Sequence, residues 1–120
     1  MNIRTGVIIH GSVQGVAFRH HTCRRALELG VTGWVKNLPN GSVEGLFEGD
    51  GSAVQALVEW CRSGPDAAQV DRLDTRQGNY TGEFENFTSE KINLRAFPSG
   101  LYNLRLSQGG FYFNKRIVKL

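Results

Sequence analysis

The stretch Gly11-Ser-Val-Gln-Gly-Val-Ala-Phe-Arg19 holds the residue types that phosphate chemistry requires. A glycine-bearing loop that runs into a helix N-terminus turns backbone N–H groups toward one point, and the helix dipole adds to their partial positive charge. Arg19 closes the stretch, and its planar guanidinium can grip two oxygens of one phosphoryl group. The chemistry then needs a neutral polar group that holds a water without competing for the phosphate. Asn37, just ahead of Pro39-Asn40-Gly41, is of that type. Singly, each residue has an ordinary reading: a solvated charge at a helix start for Arg19, and turn chemistry for Asn37.

Other phosphate and metal chemistries fail on spacing. A cysteine phosphatase needs an arginine six residues after its cysteine, but Cys23 leads to Leu29 and Cys61 to Ala67. Aspartyl-phosphate enzymes use Asp-x-Asp, whereas Asp71 and Asp74 lie three apart, a spacing that regular alternation puts on opposite faces of a strand. Arg19-His20-His21 lacks the glycine of a histidine phosphatase motif, and 120 residues are few for that fold. His20, His21 and Cys23 have no second ligand cluster, so no metal site is expected, and His10 reads as a strand residue.

The elements that must position these residues follow from periodicity. Thr5 to Val13 reads as a buried strand. From Phe18 the apolar spacing changes to that of a helix, with Phe18, Thr22, Ala26 and Leu29 on one face and Gly30 ending it. Val31–Asn37 and Ser42–Gly49 read as strands joined by a turn in which Asn40-Gly41 favours positive φ at both residues. A second helix follows, with Ser52 and Gln55 as a capping box and Val54, Leu57, Val58 and Cys61 as its apolar stripe; Gly64-Pro65 stops it. The segment 68–77 alternates as a strand with Val70 and Leu73 inward, and a short last strand is expected around Phe84 to Phe87. Trp34 and Phe18 read as core residues. The order predicts an α+β fold, a ferredoxin-like βαββαβ sandwich whose antiparallel sheet is covered on one face by two helices. That architecture also serves RNA-binding domains, so the site has to decide function.

"GSVQGVAFR" followed by "LGVTGWVKNLPNGSVEGLFEG" closely resembles the acylphosphatase family, in which a glycine-bearing loop precedes Phe-Arg and a Gly-Trp-Val-x-Asn strand follows the first helix. "VEWCRSGPDAAQVDRLD" and "TGEFENF" extend the likeness to about residues 4 to 90. The resemblance implies that Arg19 and the backbone amides of Val13, Gln14, Gly15, Val16, Ala17 and Phe18 bind the phosphoryl group, and that Asn37 orients the attacking water. It further implies hydrolysis of small acyl phosphates to a carboxylate and inorganic phosphate, with no metal, cofactor or covalent intermediate. Two rival readings stand beside it. One is a module on the same frame that binds phosphate or an acyl phosphate without turnover. The other is an RNA-binding domain that uses a basic tail, although Glu44, Glu48 and Asp50 stand where such a domain's third strand should carry aromatic and basic residues.

Charge divides the chain in two. Residues 1–90 hold eight bases and all eleven acids, a net −3, whereas residues 91–120 hold six bases and no acid, a net +6. The domain is therefore taken as residues 1–92, with 93–120 a basic C-terminal extension. The extension reads as a β-hairpin about Ser107 to Gly110, with Leu104 and Leu106 facing Phe111 and Phe113, or as a disordered tail. As a hairpin it offers a route to self-association; nucleic acid is the less favoured partner. No segment has the length or apolarity of a membrane span or a secretory h-region, and Cys23 and Cys61 read as reduced thiols, which together suggest the cytoplasm.

Overall fold

The computed structural model describes residues 1–90 throughout and residues 100–108 and 111–119 as backbone. Strand β1 (Asn2–Ser12) alternates as its sequence demands, burying Thr5, Val7 and Ile9 on one face. It leads through a loop into helix α1 (Phe18–Leu29), which buries Phe18, Thr22 and Ala26 and ends at Gly30, φ 75°. Strands β2 (Thr32–Asn37) and β3 (Val43–Asp50) form a hairpin, helix α2 (Gly51–Cys61) follows, and strands β4 (Gln69–Gly78) and β5 (Phe87–Glu90) complete one sheet in the order β4-β1-β3-β2-β5. Both helices pack on one face, enclosing a core of Val7, Ile9, Val35, Val43, Phe47, Val54, Leu57 and Cys61, among others. A further pair, β6 (Gly100–Gln108) and β7 (Phe111–Lys119), is antiparallel, with Leu106 opposite Phe113 and Leu104 opposite Lys115 in register. The expected facing of the extension's side chains lies outside the described residues, as does the turn at 109–110.

The ferredoxin-like sandwich is present, and the structure corrects five details. The sheet is mostly antiparallel, but β5 runs parallel to β2. That last strand is Phe87–Glu90 rather than Phe84–Phe87, because Phe87 is the residue that packs against Phe47 in the core, ring centroids 5.8 Å apart. Helix α2 has no Ser52–Gln55 capping box: Asp50 is the cap, its carboxylate accepting from the Ser52 hydroxyl and from the Ser52 N–H at 3.2 Å, which together hold Asp50 below the usual carboxylate range. The β2–β3 turn has positive φ only at Gly41, since Pro39 presets the turn and the Asn40 side-chain Oδ1 instead accepts from the Ser42 N–H at 3.0 Å. Trp34 is not core: alternation puts it on the helix-free face, half-exposed, with the Lys36 ammonium 4.8 Å from its ring.

A bulge explains how Val70 and Leu73, three residues apart, both pack on the core. His10 pairs with Arg72 and Gly11 with Val70, so Asp71 is one residue too many and shifts the alternation. The same shift removes the regular alternation assumed for Asp71 and Asp74; Asp74 is taken up by the His10 ring nitrogen at 3.1 Å and by an ion pair with Arg72 at 3.3 Å.

From β4 at one edge to β5 at the other, the chain passes over the helix-free face, and Glu48 of β3 anchors it there. Glu48 is fully buried and accepts from the backbone N–H of Thr81 at 2.9 Å and of Gly82 at 3.0 Å, with the Arg4 guanidinium 3.3 Å away. Removing this acceptor leaves several donors without a partner. Glu48→Ala should therefore destabilise the protein by about 2 kcal/mol or more, read as a lowered denaturation midpoint.

Burial pushes the Cys61 thiol up to about 12 from 9.0. The folded state thus retains a proton that the unfolded chain releases, so this contribution is whole below pH 9.0 and is lost as pH rises toward about 12. Chemical denaturation of wild type and Cys61→Ala across that window should show the larger alkaline loss of stability in the wild type.

Candidate active site

Residues 13–17 leave β1 and curl before α1 begins. Val13 is buried and Val16 packs on the core, so two side chains pin the loop from beneath while its backbone faces outward. Gly15, φ 75°, and Ala17, φ 61° and ψ 27°, lie in the left-handed region, and Ala17 is the one non-glycine residue with positive φ among the described residues. Left-handed residues set between right-handed ones aim successive N–H groups into a concavity, the geometry of an anion nest. Ala17 takes it at a cost of about 1–2 kcal/mol.

The first turn of α1 is left open. Ala17 stands at the N-cap with no side-chain hydrogen bond, and no acidic residue lies in the first turn, whereas α2 begins with Asp50 in the usual capping role. A helix start has four N–H groups without intrahelical partners, and at α1 no side chain takes them. Phe18 sets the angle of entry: its ring is buried, lies 5.6 Å from that of Trp60, and fits against Gly64, where a Cβ would sit 2.5 Å from the ring. Its side chain is core, so only its backbone N–H is offered to the loop.

Arg19 is half-buried, and its Nη1 donates to the Glu90 carbonyl at 3.0 Å. Burial lowers its pKa from 12.5, with Cys23 acting the other way. The same burial raises the pKa of Cys23, which together with Cys61 is a free cysteine. Among the described residues the hydrogen-bond partner of Arg19 is a carbonyl, and no carboxylate pairs with it. Glu90 lies opposite Lys36 in the β2–β5 ladder, next to Asn37 at the end of β2, so Arg19 is held at the end of the sheet where Asn37 stands. Alternation turns Asn37 to the helix side with Val35; it is 7% exposed, and its amide has no hydrogen-bond partner among the described residues. The remaining tie is Gln14, whose Nε2 donates to the carbonyls of Leu38 and Ser42, both at 2.8 Å.

The loop 13–18, Arg19 and Asn37 thus share one end of the sheet. Two features of this arrangement escaped the sequence. A backbone acceptor such as the Glu90 carbonyl leaves no trace in residue type. The side chain of Gln14 did leave one, as the single polar side chain among Val13, Val16, Ala17 and Phe18, whereas the motif implies a role only for its N–H. His20 and His21 are exposed, with rings 5.4 Å apart, and among the described residues no three His, Cys, Asp or Glu side chains gather as for a metal. No helix among the described residues is long and apolar enough to cross a membrane.

A family model described as Acylphosphatase matches residues 5–89. The chain belongs to the acylphosphatase family. It is 59% identical over 87 residues to an acylphosphatase of Geobacter metallireducens, a match covering 72% of this chain and 94% of the relative. Among solved structures, the acylphosphatase from Coxiella burnetii superposes with a TM-score of 0.71 at 34% identity, covering 74% of this chain and 93% of that one. The acylphosphatase from Bacillus subtilis does so with a TM-score of 0.71 at 31% identity, covering 73% and 98%. The activity is hydrolysis of acyl phosphates. The acylphosphatase match ends at residue 89, ahead of the extension, and the comparisons give no support to self-association through it.

Because left-handed backbone is open to glycine, tolerable for alanine and poor for β-branched residues, substitutions at Ala17 should grade the nest. Ala17→Gly should leave competitive inhibition by inorganic phosphate near the wild-type value, and Ala17→Val should weaken it several-fold.

Proposed function

We propose that the backbone amides of residues 13–18 and the Arg19 guanidinium hold the phosphoryl group of a small acyl phosphate while Asn37 orients the attacking water. The water oxygen bonds to phosphorus, the bond from phosphorus to the acyl oxygen breaks, and the carboxylate leaves with the electron pair. The water proton passes to a phosphate oxygen. A loose phosphoryl transition state spreads charge over its equatorial oxygens, so fixed donors and an unneutralised guanidinium are what this step needs from the protein. Asn37 adds position without charge. The observation that carries this reading is the uncapped, left-handed start of α1 beside an arginine that no carboxylate pairs with among the described residues.

On this reading the chemistry needs neither metal nor cofactor, the acyl group is selected loosely, and the enzyme works in the cytoplasm, where Cys23 and Cys61 stay reduced. Residues 1–92 act as the catalytic domain, and residues 93–120 are an extension outside the reaction.

Hydrolysis of benzoyl phosphate, with EDTA present throughout, tests these roles. Wild type should turn over in chelator, and Arg19→Ala and Asn37→Ala should each lose about a hundredfold or more in kcat/KM, on the order of 3 kcal/mol. Folded variants that keep wild-type rates would remove the residue concerned from the mechanism.

A further inference from the structure

We propose that the Gln14 side chain is a positioning residue for hydrolysis: it ties the phosphate loop to the β2–β3 turn and so sets how far the water held by Asn37 lies from phosphorus. The inference rests on the roles proposed above for the loop and Asn37. Beyond Ile9 and Val43, the last residues paired between β1 and β3, the two chains separate into the loop and the turn. No backbone hydrogen bond among the described residues rejoins residues 13–17 to 38–42. The Gln14 amide does so, spending both of its hydrogens on the turn: one on the carbonyl of Leu38, the residue after Asn37, and one on that of Ser42, the residue before the strand partner of Asn37.

Those two carbonyls are already organised. The Leu38 N–H donates to Ser42 at 2.8 Å and the Gly41 N–H to Leu38 at 3.1 Å, so the turn closes on itself without Gln14. What Gln14 adds is the register between two bodies, one holding the phosphate and the other the nucleophile. Reaction rate is steep in that register, because a misplacement of about 1 Å in a reacting group can cost on the order of a hundredfold. Phosphate binding by the loop and Arg19 does not depend on it.

A double-mutant cycle with benzoyl phosphate, read together with inhibition by inorganic phosphate, separates this role from simple support of the turn. Gln14→Ala should lower kcat by about tenfold or more while the inhibition constant for phosphate stays within about twofold. In an Asn37→Ala background the same change should cost less than about twofold, since the register has then lost the group it served. Gln14→Glu keeps the length of the side chain and carries the test if the alanine variant does not fold. Its ionised carboxylate faces two carbonyl oxygens, so its activity relative to wild type should rise as pH falls and protonation restores one donor. A wild-type kcat in a folded Gln14→Ala, an equal loss in both backgrounds, or a flat pH ratio for Gln14→Glu each overturns the proposal alone. Asn37→Ala at the wild-type rate overturns the role of Asn37 and this proposal with it.

Discussion

Backbone N–H groups lie parallel along a helix and alternate along a strand, so a loop that brings several of them to one point has to break the regular run. In this protein the break is the pair of left-handed residues Gly15 and Ala17, set immediately before a helix. Strain at Ala17 persists because neighbours on both sides are fixed: Val13 and Val16 in the core, and Phe18 between Trp60 and Gly64. The close packing of α1 on α2 therefore serves the loop as well as the core. A looser seat for Phe18 would let Ala17 relax toward ordinary helix geometry, and the N–H groups would turn away from one another.

The topology brings the remaining groups to this loop from distant parts of the chain. Strand β5 reaches β2 only after the chain has crossed the helix-free face, where the Glu48 carboxylate holds the Thr81 and Gly82 amides. Arriving parallel to β2, it ends with the Glu90 carbonyl within reach of Arg19. The choice of a carbonyl matters electrostatically. It orients the guanidinium without neutralising it, as a carboxylate in the same place would have done.

Positive potential in the site is local in origin. The body that carries it, residues 1–90, is net −3, and the basic balance of the whole chain comes from residues 91–120. On the proposed reading, attraction for a phosphoryl group rests on the N–H groups of the loop, the start of α1 and Arg19, which act over a few ångströms, rather than on net charge, which solvent and salt screen.

How much was legible depends on the range of the cause. Period-two and period-3.6 patterns placed the four long strands of the main sheet, both helices and the stripe Val54, Leu57, Val58, Cys61, since burial of one face is written locally. The family motif brought Arg19 and Asn37 forward as a pair before any geometry was known. Where two local signals competed, neighbours decided. Asp50 took the cap from Ser52 because its carboxylate reaches the Ser52 N–H. Phe87, not Phe84, became the inward residue of β5 because Phe47 stood opposite it. Trp34 is large and apolar, yet strand alternation assigned it to the uncovered face.

By itself, the sequence brought forward the candidate residues for the proposed chemistry and determined in what order the elements come, because residue type, turn chemistry and periodicity act over a few positions. Only the tertiary structure decided that Arg19 is steadied by the Glu90 carbonyl, that Glu48 holds the crossover, and that Gln14 joins the loop to the turn. Each of these is a hydrogen bond between residues 24 or more positions apart, and in each one partner is a backbone group. Every residue type carries such groups, so composition cannot mark which of them will be used; folding alone brings them within 3 Å of a partner.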